Sequence, residues 1–377
     1  MIPRFYYTFP FSFYIKAFFY KRRTSTIING DKLLGKSFYS TNKARTGLRI
    51  LLSSVSGKKL RVGVQIFTCH TVFQAIKNAG HEIVFLDITK EFKLNLDSLK
   101  NKKEEIDVLI VTHTFGRPDR FEEIKNIMGE GKIIIEDCAH AYLSKYKGNF
   151  CGTLGDASIF SFGLGKFPPI GIGGGVILNQ PEKFPSFINT YNSLKKETFI
   201  KGLMDWFKIL VYSFIMKRPL YGFFTRRLGK FLDRKIDFIN KYSFKESQGN
   251  FIGLRLLYYS NLYNIHLLEN NKRNLELFFA NYYPKGFEIL DGANAYIFSL
   301  LVEDRDNFYN YLLNNRIEAG KHFERSIVWA KEFGYENTCP CAEVITNKIL
   351  TIPLHKSVRK NEVIKICKLL TKFSEKK

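Results

Sequence analysis

The chain of 377 residues is too long for one small domain and has the length of a large domain joined to a smaller one. Hydrophobic residues make up 45% of it and charged residues 25%, which excludes an intrinsically disordered chain. The 58 Lys and Arg residues exceed the 35 Asp and Glu residues, so the formal net charge is +23. Nucleic acid, an anionic membrane surface and anionic substrates all suit this charge, and composition does not choose among them.

Cysteine spacing and the N-terminus exclude two further classes of protein. Six cysteines, without a CxxC pair, occur at positions 69, 138, 151, 339, 341 and 367. We therefore expect reduced thiols in a cytoplasmic protein and no bound metal. The aromatic N-terminus is interrupted by Pro10 and Lys16 and is not predicted to be a signal peptide. No apolar run approaches the roughly 18 residues that a membrane span requires.

Helical patterns alternate with short apolar strands from about residue 44 to residue 180. The predicted elements are helices at 44–54 and 72–79 and strands at 63–67, 82–86, 108–112, 133–136 and 157–162. Strands that alternate with helices predict an α/β fold, in which a mostly parallel sheet is covered by helices on both faces.

The second half of the chain has a different pattern. Residues 199–235 are aromatic, aliphatic and basic, with nine Lys or Arg residues and two Asp residues. This segment is predicted either to lie in a membrane interface as an amphipathic element or to form a subunit or domain contact. From residue 246 the pattern is that of a smaller α+β unit, with a strand at 349–354 and a helix at 361–373. We predict a large domain at 1–245 and a small domain at 246–377.

A carboxylate follows one of the predicted strands, in the segment IIEDCAHA at 134–141. Asp137 stands at the carboxyl end of the strand, where open α/β sheets place ligand contacts. A carboxylate in this position can hold the proton of a pyridinium ring, which allows the ring to accept electrons. The alternative is that Asp137 caps the N-terminus of a helix.

A lysine follows the next predicted strand, in the segment FSFGLGK at 160–166. Lys166 comes after a glycine-containing loop and has Phe and Pro residues around it, and Ser161 adds a hydroxyl. Burial in an apolar site lowers the pKa of a lysine, so that its amine can attack an aldehyde. A solvated surface lysine is the alternative.

Two more segments carry candidate ligand-binding features. In STNKARTGLRILL at 40–52, the helix N-terminus around Arg45 and Thr46 can bind a phosphate or can be an ordinary capped end. The glycines of PIGIGGGVILN at 169–179 allow close backbone approach but match neither a dinucleotide-binding GxGxxG nor a P-loop. A phosphate anchor, a carboxylate and an amine are the components of a pyridoxal 5'-phosphate (PLP) site.

These motifs resemble the DegT-type (DegT/StrS) family of PLP-dependent sugar aminotransferases, which have the fold-type I architecture. The matching motifs are EDCAHA at 136–141, GD at 155–156, FSF at 160–162 followed by Lys166, and GG at 173–174. ARTGL at 44–48, the segment from Phe67 to Asp87, and the C-terminal segments at 340–343 and 349–355 are also similar, whereas 180–335 match loosely.

The resemblance implies a role for each site residue. Lys166 is the Schiff-base lysine and moves the proton between substrate and cofactor. The cofactor-binding residues implied are Asp137 at the pyridine nitrogen, His140 at the ring oxygen, Arg45, Thr46 and Ser161 at the phosphate, and Cys69 or His70 over the ring face. A homodimer is implied as well, because the family places residues of a second subunit at the glycine-rich turn.

Three departures separate this sequence from the family pattern. An aromatic residue covers the ring in many members, where this chain has Cys69. The segment NTYNSLKKE at 189–197 lacks the arginine-containing substrate motif, and residues 199–235 are unlike the shorter members. The dehydratase branch has histidine at the position of Lys166, so dehydration is disfavoured.

The resulting hypothesis is amination of a nucleotide-linked keto sugar, with glutamate as amino donor, for amino-sugar or surface polysaccharide biosynthesis. The first alternative is cysteine desulfurase or lyase chemistry, for which Cys69, Cys138 and Cys151 are candidate nucleophiles. The second is a basic, membrane-associated homologue without catalysis. Because no nucleic-acid-binding signature occurs, nucleic acid is not expected as a partner. We expect a cytoplasmic location, with peripheral contact at the inner membrane face through 199–235.

Overall fold

The structure is a computed structural model that describes residues 1–20, 38–55, 57–222, 245–283 and 291–374. Its strands are β1 (Phe38–Thr41), β2 (Arg61–Gln65), β3 (Glu82–Leu86), β4 (Val108–Thr112), β5 (Ile133–Asp137), β6 (Lys145–Tyr146), β7 (Asn149–Phe150), β8 (Ala157–Ser161), β9 (Gly174–Leu178), β10 (Phe298–Leu301) and β11 (Ile349–Ile352). Its main helices are α1 (Phe11–Phe19), α2 (Ala44–Leu52), α3 (His70–Asn78), α4 (Leu96–Lys102), α5 (Phe121–Met128), α6 (Phe187–Ser193), α7 (Phe199–Ile215), α8 (Phe251–Asn281), α9 (Arg305–Asn314), α10 (Ser326–Lys331), α11 (Pro340–Lys348) and α12 (Lys360–Ser374).

A seven-stranded sheet in the order β1-β9-β8-β5-β4-β2-β3 organises the first half of the chain. The pairs from β8 to β3 are parallel, whereas β9 runs antiparallel to both β8 and β1. The central strands are apolar and fully buried, as strands covered on both faces must be. This confirms the predicted α/β architecture. Because β5, β4 and β8 are parallel neighbours, their carboxyl ends meet at one edge of the sheet.

The predicted elements of this half coincide with the observed ones to within two residues at each end. The strands β3 and β4 have the predicted bounds, and β2 begins and ends two residues earlier than predicted. The helix α3 ends before Gly80, whose φ of +86° is a conformation that glycine adopts without strain.

A second apolar cluster lies around the antiparallel pair of β10 and β11 and includes residues of α9 and α12. Ile2 belongs to this cluster, and its backbone pairs with that of Ile317. The helix α8 contributes Leu256 to the large core around the sheet and Phe278 to the second cluster. The boundary at 245/246 stays a prediction, since the N-terminal residues and α8 contact both clusters.

The segment 199–235 is described only as far as residue 222. Its first part forms α7, which begins after Thr198, whose side chain accepts a hydrogen bond from the Lys201 N–H. The remainder of the predicted amphipathic segment, 223–235, lies outside the described residues. Among the helices that the structure describes, none combines the length and the apolar character needed to cross a bilayer.

Candidate active site

The predicted site residues gather at the carboxyl edge of the sheet. Asp137 is the last residue of β5 and is paired in register with Ile159 on the neighbouring strand β8. Ser161 ends β8, and Lys166 follows in the next loop. Gly165 lets this loop turn back, because its φ is +76° and a side chain there would meet the ring of Phe5 at 3.1 Å. Parallel strands thus bring the carboxylate and the lysine loop to one place.

The amine of Lys166 lies 2.7 Å from Nε2 of His140. The backbone N–H of Phe115 points at the other ring nitrogen, Nδ1, over 3.4 Å. Nδ1 is therefore the acceptor, and in a neutral ring Nε2 then carries the proton and donates it to Lys166. Burial, together with the charges of Lys166 and His322, lowers the pKa of His140 well below its usual range. This hydrogen bond requires an uncharged amine on Lys166.

Burial also shifts the pKa values of Lys166 and Asp137, in opposite directions. It lowers the pKa of Lys166, although the charges of Cys69 and Asp137 oppose the shift. It raises the pKa of Asp137, against the hydrogen bond from the Ala139 N–H and the charge of Lys166. Oδ1 of Asp137 accepts that bond at 2.9 Å, which holds the carboxylate in place. Both shifts favour the uncharged form, so an apolar site prepares the amine for attack on a carbonyl.

Aromatic rings from distant parts of the chain enclose His140. Phe323 stacks on its ring with centroids 5.7 Å apart and planes at 20°, and Phe115 lies at 6.0 Å. The adjacent His322 is half-buried, and desolvation of its ring with the charges of Arg4 and Lys166 lowers its pKa to about 3. These rings supply the low-polarity environment that shifts the pKa of Lys166. The sequence analysis did not identify Phe323 or His322, because no local motif marks them.

The turn before α2 has the features of an anion-binding site. The side chain of Lys43, at the N-cap, makes no capping hydrogen bond, whereas α4, α7 and α8 are each capped by a side chain. A Cβ on Gly174 would lie 2.4 Å from the Ala44 nitrogen, so only glycine permits this approach of β9 to the turn. The start of α2 therefore lies at a cavity that Lys43, Ala44 and Ser161 line.

A cavity of about 700 Å³ opens at this turn and is lined by Arg45 and Ser161 among others. Thr46, which was predicted to bind the phosphate, is buried behind the turn, and its hydroxyl donates to Oδ1 of Asn42 at 2.7 Å. Asn42 itself lines the cavity, as does Thr71. The structure thus places Arg45 and Ser161 in the wall of the same cavity. Thr46 is connected to this cavity only through Asn42. All three assignments stay predictions.

Cys69 ends the loop before α3 and interacts electrostatically with both Arg45 and Lys166. Burial acts to raise the pKa of its thiol, but hydrogen bonds with His70 and Thr71 and the charge of His70 outweigh it and lower the pKa to about 7. The Thr71 hydroxyl donates to its sulfur at 3.3 Å. His70 lies with its ring 5.1 Å from that of Trp329. Of the two residues predicted to cover the ring, Cys69 is the one with contacts to the site.

Comparison with known proteins shows which family the chain resembles. Residues 33–191 match the model of the DegT/DnrJ/EryC1/StrS aminotransferase family. The chain is 23% identical to GDP-perosamine synthase of Escherichia coli O157:H7 over 302 residues, 79% of this chain and 75% of the relative. It is 31% identical to UDP-4-amino-4,6-dideoxy-N-acetyl-beta-L-altrosamine transaminase of Campylobacter jejuni over 172 residues, 44% and 46% of the two chains.

The first half of the chain is similar to this family. Helicobacter pylori PseC, an aminotransferase of pseudoaminic acid biosynthesis, superimposes with a TM-score of 0.71 at 15% identity, over 99% of this chain and 100% of that one. The putative sugar aminotransferase Spr1654 of Streptococcus pneumoniae in its PMP form has a TM-score of 0.70 at 16% identity, over 97% and 96%. The predicted resemblance to the family and the fold-type I architecture are confirmed, and these relatives and neighbours are named as aminotransferases or sugar-nucleotide enzymes.

The donor set of this site fits PLP. A buried amine with a lowered pKa suits an aldehyde, and a buried carboxylate close to it suits a ring nitrogen that must carry a proton. The helix N-terminus with Ser161 and Arg45 suits a phosphate, and the Gly174 contact shapes the space for it. These three features are on one edge of the sheet, as a single bound molecule requires.

A second buried polar group lies behind the site, around Glu136, the residue before Asp137. Glu136 accepts hydrogen bonds at 2.7–2.8 Å from the backbone N–H groups of Gly152, Leu154 and Gly155. Its Oε2 also lies 2.9 Å from Nε2 of His113. The ligand atoms of His113, Glu136 and Cys138 lie within 4.8 Å of one another. Four hydrogen-bond donors already contact the Glu136 carboxylate. We therefore infer that this group holds the 152–155 loop in place. The sequence analysis did not predict this role.

Proposed function

We propose that the protein is a PLP-dependent transaminase that aminates a nucleotide-linked keto sugar in amino-sugar or surface polysaccharide biosynthesis. The observation that carries this proposal is the buried Lys166 amine, which lies 2.7 Å from Nε2 of His140, has a lowered pKa, and interacts electrostatically with the buried Asp137. The relatives support the substrate class, since those named GDP-perosamine synthase and dTDP-3-amino-3,6-dideoxy-alpha-D-galactopyranose transaminase are sugar-nucleotide enzymes by name.

PLP, when bound, supplies an aldehyde and a ring that withdraws electrons from the substrate carbon. Lys166 would hold that aldehyde through its amine and would hold or release a proton at Nζ. His140 orients this amine through its Nε2–H. Asp137 would hold the ring nitrogen, and the aromatic residues Phe115 and Phe323 exclude water from the surroundings of His140 and the amine.

The cavity next to the site suits an anionic substrate. Burial and the charges of Arg45, Lys208 and Lys201 lower the pKa of Lys43, so four cations lie near one another here. The acidic residues of the cavity have partners: Asp205 pairs with Lys201, and Glu197 accepts from the Ser247 hydroxyl. The surplus of positive charge favours the diphosphate of a nucleotide sugar.

Glutamate as amino donor and a homodimer are parts of the same proposal. The glycine-rich turn at Gly171 and Gly173 borders the cavity, where the family resemblance places residues of a second subunit. The cations of the cavity would also receive the second carboxylate of glutamate.

The first experiment locates the reactive amine. Purified protein is mixed with PLP, reduced with borohydride and digested, and the labelled peptide is identified by mass spectrometry. We expect the label on Lys166, its loss in Lys166→Ala, and no change in Lys147→Ala, which removes an exposed lysine. A label spread over surface lysines, with Lys166 unmodified, would contradict the assignment.

The second experiment defines the reaction. The PLP-loaded enzyme is incubated with GDP-, UDP- and dTDP-linked amino sugars, and mass spectrometry measures formation of the keto sugar and of the aminated cofactor. Glutamate is compared with other amino acids as donor. Sulfide release from cysteine, without conversion of any sugar nucleotide, would instead favour the desulfurase alternative with Cys69 as nucleophile.

A further inference from the structure

The helix α7 presents three different faces. The first is packed against α1 and α8 and consists of Gly202, Trp206, Ile209 and Ser213. The second lines the cavity and consists of Lys201, Asp205 and Lys208. The third, which we term the open face, consists of Ile200, Met204, Phe207, Val211 and Phe214. A helix that is apolar on two faces needs a second apolar partner.

The open face is large, apolar and exposed. Its five side chains are between 43% and 69% exposed, and their spacing of four and three residues forms a continuous stripe. The stripe runs from Ile200 to Phe214, about 21 Å along the helix axis. Single exposed apolar residues are ordinary, but a stripe of this length marks an interaction site.

The helix α1 extends this apolar region. Trp206 donates a hydrogen bond from Nε1 to the Tyr14 carbonyl at 3.1 Å, and its ring lies 4.8 Å from that of Phe18. The neighbouring Phe19 is 74% exposed, with its ring 5.2 Å from that of Phe18. Exposed aromatic side chains therefore occur on both of these packed helices, Phe19 on α1 and Phe207 on α7.

The charges around the open face are positive. Lys201, Lys208 and Lys217 are exposed along the same helix and directly after it. The acidic residue of α7, Asp205, is paired with Lys201 and accepts a hydrogen bond from the Asn250 amide. Over 199–235 as a whole, the sequence has nine basic and two acidic residues. An apolar stripe bordered by lysines is complementary to anionic lipid headgroups over acyl chains.

We propose that the open face binds the anionic surface of a lipid bilayer, with α7 lying in the plane of the headgroups. The 17 residues of α7 extend about 25 Å, and no described helix meets the requirements for crossing a membrane. A second copy is the less favourable occupant, because pairing two such faces would bring both rows of lysines together. The proposal is independent of the transaminase reaction, so either can fail alone.

Vesicle flotation with the full chain tests this proposal. Vesicles of phosphatidylcholine mixed with an equal amount of phosphatidylglycerol are compared with vesicles of phosphatidylcholine alone. We expect the protein to float with the anionic vesicles, to remain unbound with the neutral ones, and to be released at about 1 M salt, where the Debye length is about 3 Å. Failure of the wild-type protein to float on anionic vesicles would overturn the proposal, and this result needs no variant.

A matched pair of double variants locates the surface. Met204→Glu with Phe207→Glu should reduce vesicle binding at least about tenfold, since it places two charges in the stripe. Val328→Glu with Val344→Glu alters two apolar residues that are 54% and 52% exposed elsewhere, and it should float like the wild type. Circular dichroism and thermal unfolding establish that both variants fold.

Light scattering on the same samples tests whether a second copy of the chain, rather than a membrane, covers the open face. The mass in solution should be equal for the wild type and both variants. If Met204→Glu with Phe207→Glu converts a dimer into a monomer, the open face is a subunit interface, and the proposal is overturned. Binding of that variant equal to wild-type binding would overturn it as well.

Discussion

Replacement of His140 by phenylalanine separates the two roles that the structure gives this residue. The variant His140→Phe keeps an aromatic ring beside Phe115 and Phe323, whose ring centroids lie 6.0 and 5.7 Å from that of the imidazole. It removes the Nε2–H that donates to the Lys166 amine at 2.7 Å. The enclosure of the site is thereby retained, while the uncharged amine loses its hydrogen-bond donor.

The expected effect is a rise in the pKa of Lys166. The lost bond stabilises the uncharged amine, so its removal favours the protonated form. A neutral hydrogen bond contributes about 0.5–1.5 kcal/mol, and one pKa unit corresponds to about 1.36 kcal/mol. The pKa should therefore rise by about 0.4–1.1 units. Below this pKa, the rate at which the amine captures PLP should fall about 2- to 13-fold at a given pH, and the loss should disappear at high pH.

The assay follows PLP capture by absorbance over a range of pH, before any amino donor is added, so that the midpoint reports Lys166 in the free protein. Phe323→Leu serves as control, because it removes a stacking partner and leaves the Nε2–H donor in place. His140→Gln provides a side-chain N–H donor again, so the pKa of Lys166 in this variant should lie between those of His140→Phe and the wild type. A midpoint for His140→Phe that equals or lies below the wild-type value would refute the assigned direction of the hydrogen bond.

Three further outcomes follow from the site. Asp137→Asn should lower the transamination rate about 10- to 150-fold, the equivalent of one charged hydrogen bond of about 1.5–3 kcal/mol, measured as conversion of a sugar nucleotide. Glu136→Gln should lower the free energy of unfolding by about 3–5 kcal/mol in urea denaturation, because it disrupts a buried pair with His113 that also holds three backbone N–H groups. Alkylation of Cys69 by iodoacetamide should increase with pH around a midpoint near 7, the value to which its pKa is lowered, with Cys69→Ser as the unreactive control.

The sheet and the central site residues could be predicted because short-range rules determine them. A buried apolar strand followed by Asp137 and another followed by Ser161 are local patterns, and parallel pairing then brings the strand ends together. The loop that carries Lys166 is only five residues from the end of its strand, so little freedom remains for its position. Successive side chains of β5 point to opposite faces of the sheet. Asp137 therefore faces the site, whereas Glu136 faces away from it and binds the 152–155 loop.

The surroundings that shift the pKa of Lys166 could not be predicted in this way. Phe323 and His322 follow it by more than 150 positions and reach the site through the packing of the C-terminal part. The position of the C-terminal part depends on individual contacts. In one of them, the carboxylate of Asp87 accepts hydrogen bonds from the first N–H groups of α11 at 2.9 and 3.0 Å. The same holds for Thr46, where the sequence predicted the turn but not that Asn42 stands between its hydroxyl and the cavity.

The helix α7 shows the limit of periodicity as a guide. Its sequence contains two apolar stripes, and spacing alone does not indicate which of them is buried. The structure resolves this through Trp206 and Ile209, which pack against α1 and α8 and so leave Phe207 and Val211 exposed. Burial of either stripe would remove apolar surface from contact with water, so the hydrophobic effect alone does not select between them. The chain retains this exposed stripe next to lysines, and an occupant that is both apolar and anionic accounts for both features at once.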